Sequence, residues 1–159
     1  MKGRVLVAIQ FGSLGALWLT PSGWGFVSPG PDALAALLVA AVGPLSTLLL
    51  AAAGALLAAA YLSLRPAFRV LPEPAPDAPF VASGIYRFIR HPMYTAVIAV
   101  GLSMALTRSP LLAWPLFVVL VVDLWVKSRY EDDLLRARHP QAADYQLRVG
   151  RFLPKFRRS

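Results

Sequence analysis

Three polar strings interrupt an otherwise apolar chain. The first is Gly84-Ile85-Tyr86-Arg87-Phe88-Ile89-Arg90-His91-Pro92-Met93-Tyr94, set where a proline-rich stretch runs into an apolar segment. Pro92 suits the first position of a helix, so the free amide N–H groups of that first turn, at the positive end of the helix dipole, can hold a carboxylate or phosphate. Arg90 and His91 add donors at the same point. Taken singly, Arg87 and Arg90 are ordinary membrane-flanking cations, and Tyr86 and Tyr94 ordinary interfacial aromatics. Their density in one string favours a site. The second string is Lys127-Ser128-Arg129-Tyr130-Glu131-Asp132-Asp133, in which four-residue spacing puts Lys127 and Glu131 on one helical face and Arg129 and Asp133 on another. A solvated helix with surface ion pairs would give the same spacing. Asp123, however, stands inside the preceding apolar run, where a carboxylate must face protein or water, and this points to a polar cavity near the membrane boundary. The third string, Tyr145-Gln146-Leu147-Arg148-Val149-Gly150-Arg151-Phe152-Leu153-Pro154, reads equally as an amphipathic anchor on anionic lipid or as a lid over that cavity.

Several chemistries are excluded by what is missing. There is no cysteine, hence no disulfide, thiolate metal site or cysteine nucleophile. The two histidines, His91 and His139, are too few and too badly placed for a metal centre, and no metal is expected. No strand-flanked G-x-G-x-x-G, Walker loop or Ser-His-Asp order is present.

The elements that must position these strings are membrane helices. Of the 159 residues 57% are hydrophobic and 15% charged, more apolar surface than a soluble domain of this size can hide. An all-α polytopic membrane protein follows, with about four transmembrane helices and a C-terminal amphipathic cytoplasmic helix. The first span covers residues 4–20. Thr20-Pro21-Ser22-Gly23-Trp24 offers no clear small-x-small cleavage site, so a retained helix is expected rather than a signal peptide. Trp18, Trp24 and Phe26 suit an interfacial belt. Residues 33–64 would make a straight helix of about 48 Å, longer than the roughly 30 Å apolar core. A break at Gly43-Pro44 is therefore expected, leaving a short interfacial piece and a span over 44–64, with Gly54 and the many alanines allowing close helix contact. Residues 65–90, with five prolines, read as an extended loop. The third and fourth spans, 93–107 and 111–127, form an antiparallel hairpin around Arg108-Ser109-Pro110. A charged amphipathic helix, Ser128 to about Gln146, and a basic tail complete a cytoplasmic portion, 128–159, of one membrane-embedded domain.

With four crossings, Lys2 and Arg4, the arginines of 65–90, and the cations from Lys127 onward share one side, while the opposite loops hold only Asp32 and Arg108. Both termini are then cytoplasmic, in an inner or cytoplasmic membrane, and the three polar strings meet at one interface. The net charge of +8 is distributed as membrane-flanking residues, and no nucleic-acid partner is expected.

The ordered set Gly84-x-Tyr86-Arg87-x-x-Arg90-His91-Pro92-x-Tyr94, a hydrophobic hairpin, Glu131-Asp132 followed by Leu134-Leu135, and Tyr145-x-x-x-Val149-x-Arg151-Phe152-x-Pro154 resembles the isoprenylcysteine carboxyl methyltransferase and phospholipid methyltransferase superfamily. The resemblance is detailed over the C-terminal half and general in pattern over the first two helices. It implies S-adenosylmethionine as cofactor, bound at the cytoplasmic interface. By position, Tyr86, His91, Pro92, Met93, Tyr94 and Glu131 look like cofactor contacts, with Ala78, Pro79, Phe80 and Val81 lining the same pocket. Lys127 falls where the prenylcysteine enzymes have a substrate-binding arginine, a change from a bidentate fork to a point charge. Lys127 and Arg90 are the expected catalytic pair. Ala96 stands where many relatives have Gly, and Asp132 where they have a second Glu.

The implied reaction is methyl transfer to a lipid, prenylated or small hydrophobic acceptor. Such a transfer disperses charge, so the enzyme's main task is to hold donor and nucleophile in near-attack geometry. In this reading the start of the third span, with Arg90 and His91, takes the methionine carboxylate. Glu131 takes a hydroxyl or the ammonium, Tyr86 and Tyr94 pack on the adenosyl group or sulfonium, and Lys127 or Arg129 orients an anionic acceptor. Two alternatives are an NADPH-dependent membrane reductase, since R-H-P-x-Y also occurs in sterol-reductase relatives, and a non-catalytic membrane scaffold or carrier.

Overall fold

Long runs of Ala, Leu and Val, with the few hydroxyl residues bonded back onto their own helix, dictate helices rather than strands. Ser13 Oγ donates to Ile9 O at 2.7 Å, Thr20 Oγ1 to Ala16 O at 2.9 Å and Ser63 Oγ to Ala59 O at 2.8 Å. The computed structural model describes residues 2–22, 33–64 and 80–155. Among them are five α-helices and no strand: α1 Lys2–Leu19, α2 Ala33–Leu64, α3 Pro92–Thr107, α4 Pro110–Arg138 and α5 Ala142–Arg148, with a 3-10 turn at Gly84–Arg87 before α3.

α3 starts and ends within one residue of the expected third span, whereas α1 starts at Lys2, two residues before the expected first span. α3 starts on Pro92, and α4 follows after only Arg108 and Ser109, so the two pack as neighbours. α2 and α4 differ from expectation. Pro44 lies inside a continuous α2 and does not break it. Its ring removes one backbone donor, the N–H that would have bonded the Ala40 carbonyl, and the apolar flanks, which favour helix on both sides, absorb that single loss. α4 likewise runs without interruption from the apolar run through the acidic string. The expected separate amphipathic helix is instead the last turns of α4, then a break at His139 and Pro140, then the seven-residue α5. Nothing at Lys127 removes a backbone donor, whereas Pro140 does.

α3 packs along α2 and against α4, and α1 packs along α4. Leu17 of α1, Ala105 of α3, and Ala113, Leu120 and Leu124 of α4 make the core, with Tyr94, Val97 and Phe117 packed on it. The close approach falls at Gly101, where an added Cβ would stand 2.6 Å from Leu120 Cδ2, and not at Gly54, where it would meet nothing within 4 Å. Outward, large apolar side chains lie bare, Leu111 being 82% exposed and Leu37, Leu48, Trp18 and Val118 also open. So much unpartnered apolar surface is suited to lipid. Two helices, Val39–Leu64 and Leu111–Arg138, are long and apolar enough to cross a membrane; Gly3–Leu19 and Pro92–Thr107 are shorter apolar helices.

Candidate active site

The site is built where α3 starts, facing the last turns of α4. His91 is the N-cap of α3 yet makes no capping bond with its side chain. Its ring turns to α4 instead, with Nε2 3.0 Å from Asp132 Oδ1 and Nδ1 3.4 Å from Glu131 Oε2. Burial alone would lower its pKa. Hydrogen bonds to Asp132 and Glu131 outweigh that, so His91 holds its proton above the ordinary histidine range and can donate from both nitrogens.

Three residues on, the Tyr94 ring stacks on His91 with centroids 5.3 Å apart and planes within 3°. Its hydroxyl donates to Glu131 Oε2 at 3.0 Å. Lys127, one turn before Glu131, is 2% exposed; its ammonium lies 5.1 Å from the centre of the Tyr94 ring and donates to Gln10 Oε1 at 2.8 Å. Glu131 keeps a 29% exposed side chain. The group is thus apolar and aromatic on one side, with a partly open carboxylate and the first-turn amides of α3 on the other.

A second layer holds this arrangement. Asp132, beside Glu131 but rotated by about 100° around the helix, is buried and gathers three cationic partners: His91, Arg90 Nη2 at 3.4 Å and Arg151 Nη2 at 3.1 Å. Arg151 also donates to Ser128 Oγ at 3.1 Å. The third string is stitched directly onto the start of α3. Arg90 N donates to Gly150 O at 2.8 Å, His91 N to Arg151 O at 3.0 Å, and Thr95 Oγ1 to Phe152 O at 2.8 Å. Gly150 is required there, because a Cβ would collide with the Leu153 carbonyl. Upstream, Gly84 adopts φ +58°, a left-handed conformation suited to glycine, and so turns the chain into the 3-10 segment. Within that segment the Tyr86 carbonyl accepts from Tyr145 Oη at 2.6 Å. Burial pushes Tyr86 up and Tyr145 up to about 12, so both stay neutral hydroxyls.

Of the residues expected to act, the structure brings His91, Pro92, Tyr94, Lys127 and Glu131 together, with Met93 half-buried on the same turn. Tyr86 is buried in the adjoining 3-10 turn. Phe80 sits further out, with its ring 5.3 Å from Tyr145 and 5.4 Å from His139; Val81 is half-buried beside it. Ala78 and Pro79 lie outside the described residues, as do Trp24 and Phe26. Arg90 points into the Asp132 cluster and to Gln146 O, at 3.3 Å, rather than along the first turn of α3. Gln10 was not among the expected residues. Its only sequence signal is one amide in an apolar helix. Asp132 and Arg151 stood in the polar strings, but no spacing rule pairs residues so far apart.

The model of the isoprenylcysteine carboxyl methyltransferase (ICMT) family matches residues 45–137, more than half of the chain. The matched region runs from α2 to the last turn of α4 and holds His91, Tyr94, Lys127, Glu131 and Asp132. Gln10 and the third string lie outside it. No curated protein and no solved structure matches. With apolar helices of membrane-spanning length around a matched site, the chain belongs to the isoprenylcysteine carboxyl methyltransferase family and is an integral membrane methyltransferase.

Proposed function

We propose that the chain transfers a methyl group from S-adenosylmethionine to a lipid, prenylated or small hydrophobic acceptor at the cytoplasmic face of a membrane. It would do so as one domain with four crossings and both termini cytoplasmic. The observation that carries the reading is the grouping of Tyr94, His91 and Glu131 at an α3 N-terminus whose N-cap side chain leaves the first-turn amides free. These residues fit the cofactor's chemistry. The free first-turn amides of α3 suit its carboxylate, with His91 holding Glu131 in place from beneath; the part-open Glu131 suits its ammonium or a ribose hydroxyl, and the Tyr94 face its adenosyl ring or sulfonium. When bound, the cofactor supplies an electrophilic methyl group. The protein's part is to bind, align and keep water out, and the stitched third string over the start of α3 supports the last of these. Arg90 acts through the Asp132 cluster as a positioning residue, and Lys127 faces the acceptor side beside Tyr94.

Calorimetric titration of the purified protein in detergent tests this. S-adenosylmethionine and its demethylated product should bind, and NADPH should not. Heat from NADPH alone, or silence for all three, would reject the reading.

A further inference from the structure

Residues 147–155 have two faces. The inner face is bonded to the candidate site: the Gly150, Arg151 and Phe152 carbonyls accept from Arg90 N, His91 N and Thr95 Oγ1. The Arg151 guanidinium reaches Asp132 at 3.1 Å, and that acid also holds the His91 ring. The outer face is apolar and basic. Leu147 is 74% and Leu153 71% exposed, and Arg148 and Lys155 are exposed with them. Lys155 Nζ donates to Leu147 O at 2.7 Å, which draws the two ends of the segment together. Through the bridge between Ile89 and Gly150 the 3-10 turn joins the same surface, adding Phe88, 50% exposed, with the Arg87 guanidinium 4.8 Å from its ring centre. Asp144, one turn before Arg148, is the one acid on α5, and Arg87, Arg148 and Lys155 outnumber it.

We infer that this outer face rests on anionic lipid of the membrane the chain spans, and that the contact holds the inner face on the cofactor site. The second clause rests on the methyl-transfer reading above and adds a lipid dependence to it. Bare leucines and a phenylalanine among cations are unfavourable in water and suited to a headgroup layer, where the apolar groups sink and the cations meet phosphates. Position favours lipid over a protein partner. Phe88 stands four residues before Pro92, where α3 begins, so at most about 14 Å of chain separates it from an apolar helix. Each Lys or Arg near an anionic leaflet strengthens binding by about fivefold. Anchored there, the segment keeps Arg151 on Asp132, and Asp132 keeps the His91 ring against Glu131. Released from lipid, it opens from α3 more often, and Glu131 loses its fixed orientation.

The test places the full chain in nanodiscs of phosphatidylcholine alone or with an equal part of phosphatidylglycerol. Phosphatidylglycerol should raise amide protection over residues 147–155 and S-adenosylmethionine affinity, each by about fivefold or more, and added salt should reduce both effects. Arg148→Gln combined with Lys155→Gln should lose both responses, while binding the cofactor in phosphatidylcholine within about twofold of wild type, since both positions are exposed. Arg136→Gln removes an exposed cation paired with Asp133 on α4 and should keep both responses, which separates this surface from a general charge effect. The inference is overturned if the wild type binds the cofactor equally in both discs, or if the double variant responds as the wild type does. It is also overturned if inorganic phosphate in phosphatidylcholine discs reproduces the response, which would make the surface a small-anion site. A dimer in phosphatidylcholine that Leu147→Asn with Leu153→Asn dissolves overturns it too, because a second copy then covers the leucines. Lipid-dependent protection that vanishes in the double variant, in a protein that binds no S-adenosylmethionine, upholds the docking and sinks the cofactor reading alone. Cofactor binding that ignores lipid, with unchanged protection, sinks this inference alone.

Discussion

The Tyr94 hydroxyl donates to Glu131 over 3.0 Å, joining the first turn of α3 to the last turns of α4 across 37 residues of chain. One oxygen of Glu131 serves both Tyr94 and the neighbouring His91 ring, and the side chain remains partly open. Glu131 is therefore oriented by the protein while retaining capacity for a ligand, which is the arrangement a recognition carboxylate needs.

Glu131→Ala should weaken S-adenosylmethionine binding by about tenfold or more, the worth of one hydrogen bond to a charged group, roughly 1.5–3 kcal/mol. Tyr94→Phe, which frees Glu131 without removing it, should weaken binding less. Calorimetry on both variants checks this; equal affinity for wild type and Glu131→Ala removes Glu131 from the site.

The adjacent acid should behave in the opposite way. Asp132 is buried among His91, Arg90 and Arg151, so Asp132→Ala strands up to three cationic groups and should cost about 3–5 kcal/mol of stability. Glu131→Ala, at a partly exposed position, should cost about 1 kcal/mol or less. Thermal unfolding in detergent distinguishes the two acids, and similar losses for both variants would contradict the division of labour between them.

That division shows what could and could not be read from the chain. Helical periodicity places Glu131 and Asp132 on different faces, and a proline at N1 marks the start of α3, so the location of the candidate site and the residues gathered at it are legible locally. The partners of Asp132 are not, because Arg151 reaches it only through the bridge that pairs Ile89 with Gly150. Gln10 meets Lys127 across 117 residues, a pairing fixed by α1 lying along α4. The two misplaced helix boundaries share one cause. Prolines act on a single backbone bond, and an apolar segment surrounded by lipid or helix has no better use for its remaining donors than to continue the helix, as α2 does through Pro44. At Pro140 the flanking residues are polar and solvent competes, and there the helix ends.

His91 gives the site a pH dependence of definite sign. Burial opposes its charge, but the hydrogen bonds to Asp132 and Glu131 prevail and raise its pKa above that of the unfolded chain. The stability it contributes is complete below about pH 6.5, the unperturbed histidine value, and is lost as pH rises through the folded-state value. Unfolding free energy should thus decline on going from mildly acidic to alkaline buffer, and His91→Gln should flatten that decline. A stability curve that rises over the same range in the wild type, or an unchanged slope in the variant, would show that the neutral imidazole is the folded form.

The contact between Lys127 and Gln10 predicts a non-additive pair. Gln10→Leu leaves the buried Lys127 ammonium without its amide acceptor, and should destabilise by about 1–3 kcal/mol. Lys127→Met strands only a neutral amide and should cost less. With both changes no unpaired donor remains, and an apolar pair can pack between α1 and α4 near neutrally. The double variant should therefore recover most of the Gln10→Leu loss, a coupling of about 1–2 kcal/mol in a thermodynamic cycle. The recovery is confined to stability. Lys127 also lies over the Tyr94 ring, so methyl transfer should stay impaired in every variant that lacks it, whereas Gln10→Leu alone should retain transfer at temperatures where it is folded. Strict additivity of the two substitutions would mean that α1 does not hold Lys127 in place.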